Sequence, residues 1–276
     1  MTIEKSNSPV EFAAFERTGW DANIAGYDRA FGTVARQTVA PLLDAAAVGR
    51  GSRVLDVCAG PGMLTAAALA RGAQAIGLDF SPAAVELARQ NVPGGRFEQG
   101  DAQSLPFPDR SFDAVVCGYG LMHVPEPALA LAEMRRILKT AGRVAVSVWD
   151  AAGVGFSLVY EAVRAHGRLE VALPHGPDFF QFGTPDKLEA ALANVGFVDV
   201  AALSVAQTWR VESADRYVEA ILSGTVRVRA VLAAQTGTAA VAVSAYLADN
   251  LERFRGSDGA YAVPMPAVIG SGVKAP

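Results

Sequence analysis

The sequence has only two cysteines, Cys58 and Cys117. Their positions show no metal-ligand spacing, and so low a cysteine content in a chain of 276 residues is typical of a reducing compartment. We therefore expect neither a metal site nor a disulfide framework. Both cysteines fall at the ends of predicted strands, so they are candidates for neighbours in space, and we interpret them as reduced residues that line a pocket.

Long apolar runs and clusters of basic residues are absent as well. No run approaches the length that spans a bilayer, and the polar residues 1–9 lack the apolar core of a signal peptide. The net charge is −4 without any block of lysines and arginines, which argues against nucleic acid as a partner. These absences predict a soluble, cytoplasmic protein that binds neither membranes nor nucleic acid.

A glycine-rich segment, residues 53–62, organises the rest of the chain. Its sequence is Arg-Val-Leu-Asp-Val-Cys-Ala-Gly-Pro-Gly, which predicts a buried parallel strand that ends in a sharp turn. Strong helix formers follow in residues 63–71, so the turn leads into a helix whose free N–H groups can bind a polar ligand. Taken alone, this pattern fits a dinucleotide enzyme, a nucleoside-binding transferase or a structural turn.

Strands and helices alternate along residues 53–149. Strands are predicted at 53–57, 74–78, 96–100, 112–117 and 143–149, and helices follow at 63–71, 82–90 and 127–139. This alternation predicts an α/β fold in which a parallel sheet has helices on both faces and binds its ligand at the carboxyl ends of the strands. Asp79 directly follows the second strand, where an acidic side chain accepts hydrogen bonds from the hydroxyls of a ribose.

Five ordered blocks carry a resemblance to a known family. They are VLDVCAGPG at 54–62, GLDFS at 77–81, GDAQSLPF at 100–107, SFDAV at 111–115 and EMRRILKTAGR at 133–143. Together they resemble the class I S-adenosylmethionine-dependent methyltransferases, and most of all the methyltransferase type 11 branch with the ubiquinone and menaquinone C-methyltransferases and many small-molecule methyltransferases. The resemblance implies a Rossmann-like, doubly wound, mostly parallel seven-stranded sheet, with S-adenosyl-L-methionine as the cofactor.

The resemblance also implies roles for individual residues. The loop 56–62 would cradle the methionine part of the cofactor, Asp79 would hold the ribose, and Asp101 would reach the adenine amino group. Cys58 departs from the family, which usually has glycine or another small residue there. The residues expected to contact the cofactor are Tyr27, Asp56, Cys58, Gly60, Gly62, Asp79, Phe80, Asp101, Ala102, Gln103, Cys117, Gly118 and His123.

The catalytic candidates lie just after the fourth strand. A methyl sulfonium is already activated, so the protein chiefly has to hold a nucleophile in line with the S–CH3 bond and exclude water. His123 is the candidate general base, and Tyr119 is the candidate to share that task or to orient the acceptor. The alternative for His123 is a structural histidine that bonds only the backbone of its loop.

Three regions are predicted along the chain. Residues 1–49 form N-terminal lid helices, broken near Gly32 and Pro41, in which Tyr27 and Phe31 either close over the ligand or simply pack on the sheet. Residues 50–150 form the cofactor-binding core. Residues 151–276 complete the sheet with strands at 196–200 and 261–269, and carry substrate-cap helices at about 155–183 and 213–255. The second of these segments is predicted as two helices inserted between the last two strands. These helices either cap the active site or serve packing or a homodimer contact.

These observations predict an enzyme that transfers a methyl group by in-line displacement. The few charges among the cap residues favour a hydroxyl oxygen or an activated carbon of an aromatic or otherwise apolar metabolite as the acceptor. The alternatives are a nicotinamide-dependent oxidoreductase and a cofactor-binding protein without turnover. The glycine motif of nicotinamide-dinucleotide enzymes, G-x-G-x-x-G/A, is incomplete at residues 60–65, because Thr65 stands where the motif requires glycine or alanine.

Overall fold

One seven-stranded sheet forms the centre of the fold in the computed structural model, which describes residues 8–276. The strand order is β3-β2-β1-β4-β5-β9-β6, and only β9 runs antiparallel to its neighbours. The predicted mostly parallel, doubly wound α/β sheet is therefore confirmed. The strands of this sheet are β1 (Arg53–Val57), β2 (Gln74–Asp79), β3 (Arg96–Gln99), β4 (Phe112–Gly118), β5 (Leu138–Trp149), β6 (Phe197–Val205) and β9 (Ala267–Lys274).

Helices cover both faces of the sheet, so its central strands are buried runs rather than alternating ones. Leu55, Val57, Val115 and Val146 are all fully buried. β3 and β4 are joined by the loop 100–111 without a helix, and no helix had been predicted at this point. The helices are α1 (Pro9–Ala35), α2 (Val39–Ala45), α3 (Met63–Ala70), α4 (Pro82–Asn91), α5 (Pro127–Ile137), α6 (Val154–His166), α7 (Pro185–Asn194), α8 (Ala214–Gly224), α9 (Arg227–Ala233) and α10 (Gly237–Leu251).

The N-terminal helices are divided differently from the prediction. α1 runs without a break through Gly32, and a short 3-10 segment, Arg36–Thr38, separates it from α2. Pro41 lies in the first turn of α2, where a missing N–H removes no helical hydrogen bond. The predicted breaks near Gly32 and Pro41 were therefore wrong.

The C-terminal region contains the predicted insertion, but with more elements. Three helices, α8 to α10, separate β6 from β9, where two had been predicted. The strand predicted at 261–269 is in fact two strands, because Pro264 and Pro266 both lack the N–H that a continuous ladder requires. β8 (Tyr261–Pro264) pairs with β7 (Thr208–Val211) in a separate two-stranded ribbon, and β9 joins the main sheet.

α1 is held closely against the insertion and the sheet. A Cβ added to Gly26 would lie only 1.9 Å from the backbone oxygen of Ser223, so only glycine permits this approach to α8. At the other side of α1, Asp21 Oδ1 accepts a 2.6 Å hydrogen bond from Ser81 Oγ at the start of α4. α1 therefore lies across the edge where the parallel strands end. No helix formed by residues 8–276 is long and apolar enough to cross a membrane.

Candidate active site

A cavity of about 550 Å³ lies between α1 and the carboxyl ends of the strands. It brings together residues that are far apart in the sequence, as expected for the strand ends of a doubly wound sheet. The residues from the sequence prediction that line it are Tyr27, Asp56, Cys58, Gly60, Asp79, Phe80, Asp101, Ala102, Gln103, Gly118, Tyr119 and His123. Gly62 and Cys117, which had been expected to contact the cofactor, are not among the lining residues.

The glycine-rich turn after β1 explains where Gly60 and Gly62 lie. Both have positive φ angles, +52° and +87°, which favour glycine. A Cβ on Gly60 would meet only Ile24 Cδ1 at 3.8 Å, so the cavity side of this residue is open. Gly62 instead packs against Phe97 and Val92 at the start of α3. It shapes the turn rather than lining the cavity.

Asp56 presents an unpaired oxygen in the cavity lining. Its Oδ2 accepts hydrogen bonds from the backbone N–H of Thr65 at 2.9 Å and from Thr65 Oγ1 at 2.7 Å. Its Oδ1 is buried and has no hydrogen-bond partner among residues 8–276. Burial raises the pKa of the Asp56 carboxyl to about 7, against the opposing effect of the Thr65 bonds. A cationic group in the cavity would satisfy Oδ1 and favour the ionised form.

Asp79 joins the turns after β1 and β2. Its Oδ2 accepts a hydrogen bond from the Gly60 N–H and its Oδ1 accepts one from the Ser81 N–H, both at 2.9 Å. Burial raises its pKa to about 6, although these backbone bonds act in the opposite direction. Each oxygen retains further acceptor capacity, which a ribose diol can use.

The loop after β3 forms the next part of the lining. Asp101 Oδ1 accepts a 2.8 Å hydrogen bond from the Gln103 backbone N–H, which holds the exposed carboxylate in a turn. Ala102 beside it is buried, and Phe80 lies in the same lining. An apolar contact and a carboxylate acceptor therefore occur together, as recognition of an adenine ring and its amino group requires.

The two cysteines are neighbours, as predicted, and both are free thiols. A Cβ added to Gly120 would lie 2.3 Å from Cys58 Cβ and 3.0 Å from Cys117 Sγ. A hydrogen bond with the Cys117 thiol, together with burial, raises the pKa of Cys58 well above its ordinary value. Cys58 lines the cavity, whereas Cys117 is fully buried at the end of β4 and does not reach the lining.

The Tyr119 hydroxyl is already engaged by the protein. It donates to Gln207 Oε1 at 2.8 Å and accepts from Thr38 Oγ1 at 3.2 Å. Burial raises the pKa of Tyr119, so loss of its proton is disfavoured. The ring stacks on Trp149 with centroids 4.1 Å apart. These contacts suit Tyr119 to orienting a ligand better than to accepting a proton.

His123 bonds a carboxylate rather than the backbone of its loop. Its Nδ1 lies 2.9 Å from Glu16 Oε2, and Glu16 on α1 is fully buried. Trp20 Nε1 donates to the same oxygen at 3.2 Å. The guanidinium of Arg227 lies beside the other oxygen, with Nε 2.9 Å from Glu16 Oε1 but without hydrogen-bond alignment. His123 itself lines the cavity.

Aromatic rings surround the part of the cavity next to His123. Phe179 contacts His123 and Phe156 edge to face, with centroids 5.7 Å and 5.8 Å apart. Trp20 contacts His123 in the same way, at 4.9 Å. We call this part the aromatic chamber, and its six rings belong to Trp20, Tyr27, Phe31, Trp149, Phe156 and Phe179.

Several of these residues were not found from the sequence as site residues. Glu16, Thr38 and Arg227 belong to helices whose apolar faces dominated the sequence pattern, and Gln207 lies in a short connection between strands. Their partners are distant: Glu16 and His123 are separated by 107 positions. The available signal in the sequence was Glu16, a glutamate on the apolar face of the N-terminal helix. Because carboxylates are rarely buried without a partner, its position indicated a polar partner elsewhere in the chain.

The lining fits S-adenosylmethionine, the cofactor that the sequence resemblance implies. This ligand carries positive charge on its amino group and sulfur, a ribose diol and an adenine amine. Asp56 offers the unpaired buried oxygen for the amino group, Asp79 the acceptors for the ribose, and Asp101 the acceptor for the amine. Gly60 leaves room for close approach to the backbone.

Comparisons with known proteins agree with this fit. Residues 55–146 match a family model described as a methyltransferase domain. Demethylmenaquinone methyltransferase from Clavibacter sepedonicus is 35% identical over 159 residues, 55% of this chain and 62% of that protein. The protein of the same name from Renibacterium salmoninarum is 40% identical over 170 residues, 58% of this chain and 72% of that protein. The matched part of this chain thus covers less than two thirds of the length of the Clavibacter protein.

A solved structure confirms the fold over nearly the whole chain. Haemonchus contortus phosphoethanolamine N-methyltransferase 2, in complex with phosphomonomethylethanolamine and S-adenosylhomocysteine, superposes with a TM-score of 0.59. The match covers 98% of this chain and 61% of that one at 21% sequence identity. From the family model and the two bacterial relatives, we conclude that the chain belongs to the class I S-adenosylmethionine-dependent methyltransferases, in the branch that includes the demethylmenaquinone methyltransferases.

Proposed function

We propose that this protein transfers a methyl group from S-adenosylmethionine to a hydroxyl oxygen or an activated carbon of an aromatic or otherwise apolar small molecule. The observation that carries the proposal is the continuity of one cavity, which extends from the carboxylates of Asp56 and Asp79 to the aromatic chamber. One end suits a polar, cationic cofactor and the other an apolar, planar acceptor.

The residues of the chain would divide the work as follows. When bound, S-adenosylmethionine supplies a methyl group on a positively charged sulfur. Asp56, Asp79 and Asp101 bind and orient the cofactor. The aromatic chamber excludes water and holds the acceptor ring, which accounts for much of the expected rate. His123 accepts the proton that a hydroxyl acceptor must lose, and Tyr119 orients the acceptor.

The three regions of the chain would have separate roles in this scheme. α1 and α2 act as the lid, since Trp20, Tyr27 and Phe31 on α1 all line the cavity. The parallel strands β1 to β5 and their loops bind the cofactor. The segment after β5 acts as the cap, because Phe156, Phe179 and the start of α9 close the aromatic chamber.

The names of the bacterial relatives favour a quinol among the possible acceptors. Demethylmenaquinone is the substrate in those names, and its reduced form is a bicyclic aromatic diol that suits a ring-lined chamber. The comparison covers little more than half of this chain, so a demethylated naphthoquinol is the first acceptor to test rather than an assigned substrate.

The test combines cofactor binding with a small acceptor panel. Calorimetry should show binding of S-adenosylmethionine and S-adenosylhomocysteine but not of nicotinamide dinucleotides. The panel contains a demethylated naphthoquinol, a catechol, a monohydric phenol and an aliphatic alcohol of similar size. Transfer of a radiolabelled methyl group to an aromatic member supports the proposal. Tight cofactor binding without transfer to any member would favour a cofactor-binding protein without turnover.

A further inference from the structure

We propose that Glu16 is the positioning residue for His123: it holds the imidazole in the tautomer with the proton on Nδ1, so that the unprotonated Nε2 faces the aromatic chamber. The inference deepens the proposed function, because it specifies which nitrogen of His123 can accept the acceptor's proton. It assigns a positioning task to the N-terminal helix, for which the sequence had indicated either a lid or simple packing on the sheet.

The contacts of Glu16 determine the tautomer. An ionised carboxylate has only acceptor atoms, so the 2.9 Å contact between Glu16 Oε2 and His123 Nδ1 requires the hydrogen to be on Nδ1. In a neutral imidazole the other nitrogen, Nε2, then carries the lone pair. The His123 side chain is 14% exposed and lines the cavity, so a ligand can reach the imidazole.

Arg227 and Trp20 explain how a fully buried carboxylate is tolerated. Burial of an unpaired charge destabilises a protein. Removal of one member of a buried ion pair is therefore strongly destabilising, because the other charge stays buried without a partner. Glu16 has the Arg227 guanidinium beside Oε1 and the Trp20 N–H on Oε2. With these two partners its charge is balanced before His123 is counted. The contact to His123 is therefore additional to what burial of Glu16 requires.

Arg227 also fixes the wall behind His123. It donates hydrogen bonds to the backbone oxygens of Met122, next to His123, and of Pro177, the second at 2.7 Å. Its guanidinium carbon lies 5.3 Å from the centre of the Phe179 ring, which itself contacts His123. The imidazole is thus confined by Glu16, Trp20 and Phe179. A buried carboxylate that fixes a histidine tautomer in this way is a known means of preparing a general base.

The tautomer can be measured without any acceptor. The sequence has three histidines, so long-range proton–nitrogen correlation spectra of the full chain with isotope-labelled histidine are simple, and His123→Ala assigns the signal. We expect His123 to show the Nδ1–H tautomer in the unsubstituted protein. In Glu16→Gln the side-chain amide has a donor as well as an acceptor, so it no longer requires the proton on Nδ1. The His123 signal should then move towards the Nε2–H form. Glu11→Gln, an exposed position on the same helix, is the matched control and should leave the spectrum unchanged.

A second variant guards against loss of structure. Glu16→Asp keeps the charge near Arg227 but shortens the side chain, so it should also release His123. Unchanged S-adenosylmethionine affinity in both variants would show that the cofactor site is intact. An Nε2–H tautomer in the unsubstituted protein, or an unchanged Nδ1–H signal in both folded variants, would overturn the inference.

Kinetics separate this inference from the proposed function. With a hydroxyl acceptor, Glu16→Gln should lower kcat about tenfold to hundredfold, a smaller loss than the hundredfold to ten-thousandfold that general-base assistance as a whole contributes, with little change in the KM for cofactor. The double variant with His123→Ala should be no slower than His123→Ala alone. The two could also come apart: His123→Ala could keep the full rate while the unsubstituted protein and the Glu16 variants show the expected tautomers. That result would refute the role of His123 as a base in the proposed function, but it would leave the positioning of the imidazole by Glu16 intact.

Discussion

The Asp79 carboxylate accepts a 2.9 Å hydrogen bond from the backbone N–H of Gly60. This bond joins the carboxyl end of β2 to the glycine-rich turn that follows β1. Asp79 thus shapes the glycine-rich turn, and in the proposed function it also presents acceptors to a ribose. The two motifs that dominate the sequence pattern are therefore parts of one structural unit.

Replacement of Asp79 should weaken the cofactor site at both points. In Asp79→Asn one oxygen becomes an NH2 group, so the side chain cannot accept from both Gly60 and Ser81. Because hydrogen bonds to charged groups contribute about 1.5–3 kcal/mol, S-adenosylmethionine affinity should fall about tenfold to hundredfold in calorimetry. Glu86→Gln, an exposed position on α4, should bind normally. Equal affinity of Asp79→Asn and the unsubstituted protein would remove Asp79 from the cofactor site.

Cofactor affinity should depend on pH through Asp56. Its pKa is raised to about 7 in the unliganded protein, and a cationic ligand favours the ionised form. Binding below that pH must release a proton, so affinity should fall by up to tenfold per unit as the pH decreases from about 7 to about 5.5. Asp79 has a pKa of about 6, so its protonation should lower the cofactor affinity further at the acidic end of this range. In Asp56→Asn the affinity should be lower and its slope near pH 7 should disappear.

The same pKa determines the effect of Asp56 on stability. A carboxyl whose folded pKa exceeds its ordinary value of 3.8 stabilises the fold when protonated, and this contribution is lost as the pH rises through about 7. Without cofactor, Asp56→Asn should therefore have a higher Tm than the unsubstituted protein at about pH 8, and a smaller advantage at about pH 5. A larger advantage at the acidic pH would show that the buried carboxyl is stable in its charged form.

His123→Ala should reduce turnover without affecting cofactor affinity. With a hydroxyl acceptor the loss should be about a hundredfold to ten-thousandfold, the range for general-base assistance. His166→Ala is the control, since His166 lies near Tyr246 on the far side of α6 and does not line the cavity. A rate for His123→Ala equal to that of the control would remove His123 from the chemistry.

The approach of α1 to α8 should not tolerate a side chain at Gly26. A Cβ there would lie 1.9 Å from the Ser223 backbone oxygen, so Gly26→Ala must displace the helix. Overpacking of this kind costs about 1–3 kcal/mol in the free energy of unfolding, measurable by urea titration. Gly49→Ala, where an added Cβ meets nothing within 4 Å, should be near neutral. If both variants had equal stability, the close packing of α1 against α8 would be contradicted.

Local patterns made the cofactor half of the site predictable. The turn at Gly60 comes shortly after β1 and Asp79 ends β2, so motif spacing and the rule for strand ends place both at one edge of the sheet. Gly62 and Cys117 show the limit of such inference. A motif identifies the loop, but whether a given residue lines the cavity or packs behind it depends on the direction of its side chain.

The acceptor half depends on contacts that no short window contains. Glu16 meets His123 across 107 positions, and the rings of Trp20 and Phe179, which are also far apart in the sequence, both contact His123. Periodicity marks such residues as buried without saying what they touch. Likewise, the strand at 261–269 looked continuous until pairing showed that Pro264 and Pro266 divide it between two sheets.

A crystal structure of the protein with S-adenosylhomocysteine tests the central claim most directly. We expect the ribose at Asp79, the amino group at the free oxygen of Asp56, and the sulfur facing His123 and the aromatic chamber. Binding of the ligand outside this cavity, or with its sulfur turned away from His123, would contradict the account.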